Sequence, residues 1–234
     1  MEAYSRKYDY MIVWSAKSGC TLLRQIFLNL HKEELKIYPP NNWHSLSKYF
    51  PKPKNKNSND IKKIILCRNP YYRVVSMFCN KYCGGEGHNI LSNYFKLERC
   101  TFREFVKKLK SIKDKGELNK IDVHIKNQTI YIDENTYILK IENFNESIIE
   151  IYKKMNLQNL IPKIKEILSN KDVFINKTTR NSECEYVYDK EYTLNSTIFP
   201  DYKYFYDDEL LDLVFDIYKS DFINFNYERY TPFE

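Results

Sequence analysis

Tyr10-Met11-Ile12-Val13-Trp14-Ser15-Ala16-Lys17-Ser18-Gly19-Cys20-Thr21, running into Leu22-Leu23-Arg24-Gln25-Ile26-Phe27-Leu28-Asn29-Leu30, is the stretch whose reading decides the fold. Five mostly apolar, β-prone residues predict a buried strand over Tyr10 to Trp14. A short loop of small residues carrying Lys17 follows. Leu23, Ile26, Phe27 and Leu30 then recur at helical spacing and fall on one face. A strand, a tight loop and a helix N-terminus make an anion site, because backbone N–H groups and the positive end of the helix dipole converge there. Lys17 adds a full charge. The stretch taken alone is also compatible with an ordinary strand–turn–helix bearing a solvated lysine. It is not the loop of nucleoside triphosphatases, Gly-x-x-x-x-Gly-Lys-Ser/Thr, in which lysine follows the glycines. Here Lys17 precedes Gly19, and no glycine lies upstream.

A second stretch repeats the pattern. Lys63-Ile64-Ile65-Leu66-Cys67 predicts a buried strand running into Arg68-Asn69-Pro70-Tyr71-Tyr72-Arg73-Val74-Val75-Ser76-Met77-Phe78. Asn69 is a good N-cap and Pro70 suits the first helical position, so a helix starts there and runs to near Gly84-Gly85. Arg68 is thereby placed at a strand end beside a helix N-terminus. Ser76 lies about two turns in, on the face that Arg73 and Tyr72 approach.

The rest of the chain supplies the other elements of an alternating pattern. Leu35 to Tyr38 reads as a short strand stopped by Pro39-Pro40, and residues 51–60 read as a surface loop. Thr101-Phe102-Arg103-Glu104 is a capping box opening a helix to about Ile112. The segment from Asp122 to Gln128 reads as irregular. Thr129 to Ile132 and Thr136 to Ile141 read as paired strands around Asp133-Glu134-Asn135. Asn145 is expected to cap a helix to about Met155, with another over Leu160 to Leu168. Asn176 to Glu185 reads as polar loop. Asp207-Asp208 open an amphipathic helix that buries Leu210, Val214, Ile217 and Tyr218. Strands alternating with helices predict a three-layer α/β fold with a central parallel sheet, whose ligands sit at the carboxyl ends of the strands. Both strand–loop–helix phosphate sites fall at such ends. Side by side, they suit a ligand with two separated phosphate-like groups.

Bulk properties agree. At 234 residues, 43% hydrophobic and 16% aromatic, the chain is expected to form a single domain over 1–234 with a substantial core. Net charge is +6 and the pI about 8.8, which favours an anionic ligand without singling out nucleic acid. No signal peptide or membrane span is visible, so a soluble, cytoplasmic protein with free thiols is the default expectation. Among the six cysteines, Cys79 and Cys83 sit one helical turn apart, but no second pair with ligand spacing follows. No metal is expected.

These residues resemble the sulfotransferases that use 3′-phosphoadenosine 5′-phosphosulfate (PAPS), in particular the carbohydrate enzymes of the heparan and chondroitin type. Lys17-Ser18-Gly19-Cys20-Thr21 is similar to their 5′-phosphosulfate loop. Arg68-Asn69-Pro70-Tyr71-Tyr72-Arg73-Val74-Val75-Ser76 is similar to their 3′-phosphate motif, Arg-Asp-Pro-x-x-Arg-x-x-Ser, with Asn69 in place of Asp. Lys177-Thr178-Thr179-Arg180 resembles a late loop that closes over the cofactor phosphates. The run from Ile217 to Tyr227 resembles the family's terminal helix and its Asp-Phe-x-x-Phe-x-Tyr ending.

The resemblance implies transfer of a sulfuryl group from PAPS to a hydroxyl acceptor, a glycan or glycoconjugate, with no nucleic-acid partner. It implies that Lys17 stabilises the bridging oxygen and that Ser18, Gly19, Cys20 and Thr21 hold the 5′-phosphate. Arg68 and Ser76 would take the 3′-phosphate, with Lys177 and Arg180 in the closing loop. Arg73 reads equally as a third phosphate contact or a structural ion pair. A hydroxyl acceptor calls for a general base, and histidine is suited to the task. His44 occupies a place comparable to the base of the heparan enzymes. His124, in His124-Ile125-Lys126-Asn127-Gln128, resembles a His-x-x-x-Gln element of the chondroitin group and is the acceptor contact or alternative base. His31 reads as structural, and Glu34 stays open as a base. Golgi members carry a membrane anchor and luminal disulfides, so this chain is expected to be a soluble relative or a catalytic fragment. A nucleotide kinase or triphosphatase, and a non-catalytic binder of polyanionic glycans, are the alternative readings.

Overall fold

The two long apolar runs become neighbouring parallel strands. The computed structural model describes residues 1–35, 46–83, 90–95, 99–170, 179–180, 185–193 and 196–229. Its main sheet contains β1 (Glu2–Ser5), β2 (Tyr10–Trp14), β3 (Lys62–Cys67) and β4 (Thr136–Lys140), in that spatial order. β2, β3 and β4 run parallel, with Trp14 opposite Leu66 and Cys67 opposite Lys140. The principal helices are α1 (Cys20–His31), α2 (Pro70–Met77), α3 (Phe102–Asp114), α4 (Phe144–Lys154), α5 (Ile161–Ser169), α6 (Asp208–Ile217) and α7 (Lys219–Asn224). This mostly parallel sheet flanked by helices agrees with the three-layer α/β arrangement expected. The chain divides into two compact units, residues Met1–Arg68 with Ile130–Ile175 and residues Asn69–Thr129 with Asn176–Glu234.

In the first unit, Tyr10, Ile12 and Trp14 of β2, Ile64 and Leu66 of β3 and Leu139 of β4 form one cluster with Leu23, Ile26 and Phe27 of α1 and Ile148 of α4. Met11 and Val13, pointing the other way along β2, cluster with Tyr4 and Ile61. Strands buried on both faces read as unbroken apolar runs, which is why β2 and β3 were plain in the sequence. α1 buries more than the expected stripe. Arg24 and His31 are buried on it as well, while Leu30 is only partly covered.

Three expectations are corrected. β1 is an antiparallel edge strand, with Glu2 opposite Val13 and Ser5 opposite Tyr10, added to the parallel sheet that was expected. Thr129 to Ile132 is not a strand: Gln128–Tyr131 is a 3₁₀ turn, and Thr136 onward pairs parallel with β3 instead of turning a hairpin. The Lys63 N–H donates to the Asn135 carbonyl at 2.9 Å and the Lys63 ammonium pairs with Asp133, which draws this segment alongside β3. The cap of α4 is Asn143, after a 3₁₀ turn over Ile141–Asn143, rather than Asn145.

The second unit is built around aromatic rings. α2 continues as a π-helical turn, Phe78–Tyr82. The Phe78 ring lies 5.4 Å from Phe102, 5.4 Å from Phe105 and 5.6 Å from Tyr192, within the range of favourable edge and offset contacts. Tyr192 and Tyr206 are buried in this core, whereas Tyr186 is exposed. Phe78→Ala should therefore cost about 3–5 kcal/mol of stability, read by urea denaturation, because ring burial and the cavity left behind both count. A loss under about 1 kcal/mol would show that the cluster collapses around the gap. The capping box at α3 is formed, with Glu104 N donating to Thr101 Oγ1 at 3.1 Å and Thr101 N to Glu104 Oε2 at 2.8 Å. Asp207 caps α6 by accepting from Leu210 N at 2.9 Å. Cys79, Cys83 and Cys100 are buried cysteines outside any disulfide, and burial pushes the Cys83 and Cys100 thiols up, the latter to about 12. Such thiols are unreactive packing groups.

Candidate functional site

The loop after β2 is shaped by two residues in the left-handed region, Lys17 at φ 67° and Gly19 at φ 83°. Glycine adopts this conformation freely, but a lysine does so at a cost of about 1–2 kcal/mol. Such outliers persist where the surroundings enforce them, and they gather at functional sites. Gly19 has a second reason to be glycine: a Cβ there would lie 2.6 Å from Ile141 Cδ1. Ser15 and Ser18, both buried, are joined through their hydroxyls at 2.5 Å, bracing the base of the loop.

Gly19 is the N-cap of α1 and provides no side-chain cap, and the first turn contains no acidic residue. The first N–H groups of a helix have no carbonyl partner within it. With neither cap nor acid present, this end suits an external anion. Arg24 adds a buried cation one turn on, its Nε donating to the Cys20 carbonyl at 3.0 Å and its guanidinium 5.5 Å from the Trp14 ring. The sequence reading missed Arg24. Its signal was an arginine inside an apolar helical stripe, four residues after Cys20.

Arg68 directly follows the last residue of β3, and its Nη1 donates to the Lys17 carbonyl at 3.3 Å. The two motif residues, 51 positions apart in the chain, thus meet at adjacent carboxyl ends of parallel strands. The junction that follows is as expected. Asn69 Oδ1 accepts from Tyr71 N at 2.9 Å and Pro70 opens α2, so Asn performs the capping that Asp gives in the related motif. Ser76 lies on α2 and is nearly buried. Arg73 is fully buried and bonded to the His124 and Lys126 carbonyls.

The histidines separate clearly. His31 is at the far end of α1, about 16 Å along the axis from Cys20 at 1.5 Å per residue. Its Nε2 lies 2.6 Å from Tyr10 Oη and its Nδ1 2.9 Å from Glu34 Oε1. Glu34 also accepts from Ser5 Oγ and the Arg6 amide, each at 2.8 Å. Burial alone would raise the Glu34 carboxyl, but hydrogen bonds from His31 and Ser5 outweigh it and bring the group down to about 2. Glu34 is therefore a structural clamp on the β1–β2 turn and a poor proton acceptor. Burial also holds His31 below its usual range in spite of Glu34.

Both shifts make acid destabilising. As pH falls below His31's ordinary value of 6.5, the unfolded chain takes up a proton that the folded one refuses. From about 4.5 down towards 2 the unfolded chain protonates Glu34 first, and stability falls further. Glu34→Gln should consequently cost more stability at pH 7 than at pH 3, as read by urea unfolding at each pH. An equal cost at both would contradict the clamp.

His124 is partly exposed, and its Nδ1 lies 2.7 Å from Asp122 Oδ1, which also accepts the His124 amide at 2.8 Å. Burial would raise the Asp122 carboxyl, but the His124 side chain and amide outweigh it and hold it below the usual range. The sequence reading missed Asp122 as well. Its signal was the Asp-x-His spacing of an Asx turn, in which the carboxylate accepts from the amide two residues on.

His44, Lys177, the strand expected beyond Leu35 and the glycine loop at 84–88 lie outside the described residues. Arg180 is described only through its backbone, which pairs with Phe199 in a short parallel ladder. Among the described residues no helix is long and apolar enough to cross a membrane, and no group of three His, Cys, Asp or Glu side chains is placed to hold a metal ion.

No curated protein and no solved structure matches this chain. A family model described as the sulfotransferase family, however, matches residues 5–228. That span begins in β1, takes in the Lys17 loop and the Arg68 junction, and runs beyond α7. With nearly the whole sequence matched, the chain belongs to the sulfotransferase family.

Proposed function

We propose that the protein transfers a sulfuryl group from PAPS to a hydroxyl of a carbohydrate acceptor, with a histidine as general base. The observation that supports this most is the contact between the Arg68 guanidinium and the Lys17 carbonyl, which joins the two motifs at neighbouring strand ends. A nucleotide phosphorylated at both ribose positions offers two anionic groups to two such sites. In this reading Ser18, Gly19, Cys20 and Thr21 donate to the 5′-phosphate at the uncapped start of α1. Arg68 gives a planar fork to the 3′-phosphate, Ser76 donates beside it, and Lys177 and Arg180 belong to the closing loop.

The acceptor oxygen attacks sulfur as the bond from sulfur to the bridging oxygen breaks. The bond's electron pair leaves with adenosine 3′,5′-bisphosphate, and the acceptor proton passes to the base. As in phosphoryl transfer, catalysis is mostly positioning and stabilisation of charge, and Lys17 serves the leaving oxygen. Among the described residues His124 is the histidine with a carboxylate on one ring nitrogen and partial exposure, which favours it as the base. The test is a transfer assay with labelled PAPS against glycans and small alcohols. Label should appear on a saccharide hydroxyl without added magnesium. Transfer to none of them, or hydrolysis of Mg-ATP in its place, would refute the reading.

A further inference from the structure

We propose that Asp122 is the positioning residue for His124, and that Arg73 is built to hold this pair in place rather than to bind a phosphate. The inference rests on the sulfotransferase reading for its chemistry, but its geometry stands alone. Every group in it belongs to the second unit.

Arg73 occupies the second arginine position of the Arg-Asn-Pro-x-x-Arg motif, yet it is 0% exposed. Its Nη2 donates to the His124 carbonyl at 2.9 Å and the Lys126 carbonyl at 2.6 Å. The carbonyl between them, that of Ile125, accepts from Tyr218 Oη at 3.0 Å. Asp221, 3.8 Å from Arg73 Nη1 and equally buried, takes the amides of Gln128 at 2.8 Å and Thr129 at 3.1 Å. Three carbonyls and two amides of one irregular segment are therefore tied down from α2 and the α6–α7 region. An irregular backbone this close to the core needs such partners. A guanidinium engaged in this way, with no exposed surface, is closed to a nucleotide phosphate.

With the backbone fixed, one freedom remains to His124, the setting of its ring. The Asp122 carboxylate, 7% exposed, settles it by accepting from Nδ1–H. The neutral ring then carries its lone pair on Nε2, turned away from Asp122 and free to accept a proton. Lys81, on the π-helical turn, also acts on Asp122 and favours its ionised form. Arg73, Lys126 and Asp221 are further charged groups on or against the segment, and Lys113, Asp216 and Lys219 line the cavity beside Asn127. This is the base-plus-orienter arrangement of hydrolytic triads, reached here on a different framework.

The test begins with the wild-type protein, labelled with ¹⁵N-histidine. The neutral His124 ring should be the Nδ1–H tautomer; an Nε2–H tautomer would overturn the proposal. This arm needs no variant and no turnover, so it is decided even if sulfuryl transfer fails. Asp122→Asn comes second, because its amide offers N–H to Nδ1. It should move His124 to the Nε2–H form and lower kcat at least about 10²-fold, with affinity for adenosine 3′,5′-bisphosphate within about twofold of wild type. An unchanged tautomer with wild-type kcat would overturn the role. Arg73→Lys should likewise lower kcat and spare nucleotide affinity. A loss of affinity of about tenfold or more with kcat retained would return Arg73 to the phosphate site.

Discussion

Lys17→Ala should lower kcat for sulfuryl transfer by about 10²–10³-fold while changing the apparent affinity for donor much less. The size follows from what the ammonium is asked to do. Charge builds on the bridging oxygen only as the bond to sulfur breaks, so the interaction strengthens in the transition state and appears in kcat. The backbone at Lys17 is already held at φ 67°, with its carbonyl accepting from Arg68, so the side chain starts from a fixed point. Alanine meets the same left-handed penalty, so the variant should fold with near-wild-type stability and the kinetic loss can be read directly. Lys17→Arg should not restore the rate, because a broad planar fork cannot replace a compact ammonium at one oxygen. Steady-state transfer at saturating donor gives the number, and a kcat within about threefold of wild type would remove Lys17 from the chemistry.

Arg68→Ala should weaken binding of adenosine 3′,5′-bisphosphate by about 2–5 kcal/mol, the usual cost of leaving a bound charge without its hydrogen-bonded partner. Arg68→Lys should recover only part of this, since the charge returns without the two-pronged geometry. Calorimetric titration of the three proteins with the bisphosphate measures both effects. Arg68 has a second duty through its bond to the Lys17 carbonyl, so its loss also loosens the loop. The kinetic effects of Lys17→Ala and Arg68→Ala should then be less than additive, as for neighbours sharing one contact. Strict additivity, or full affinity in Arg68→Ala, would separate the two motifs.

The parts of the molecule legible in sequence are those whose causes are local. β2 and β3 are unbroken apolar runs because both their faces are buried, and Asn69-Pro70 and Thr101 to Glu104 carry their capping chemistry within four residues. What was misread depends on partners far along the chain. Thr129-Ile130-Tyr131-Ile132 is β-prone by composition, yet Asp221, about ninety positions away, captures the Gln128 and Thr129 amides and the segment turns instead. β1 was invisible because a four-residue edge strand with Glu2 and Ser5 at its ends carries too few apolar residues to announce itself, and only pairing with β2 makes it a strand. Of the candidate site, Lys17, Gly19 and Arg68 are read from motif and position, and the contact of Arg68 with the Lys17 carbonyl at adjacent strand ends follows from parallel pairing of β2 and β3. Arg73 was left open between ligand and ion pair because burial cannot be read from a motif. Full burial now favours the ion pair.

The most direct test of the donor assignment is calorimetric titration of the wild-type protein with adenosine 3′,5′-bisphosphate and with adenosine 5′-monophosphate, both in EDTA. The account predicts one-to-one binding of the bisphosphate without metal, and at least about 100-fold weaker binding of the monophosphate, which lacks the group assigned to Arg68. Equal affinity for the two nucleotides, or no heat from the bisphosphate at about millimolar concentration, would contradict it.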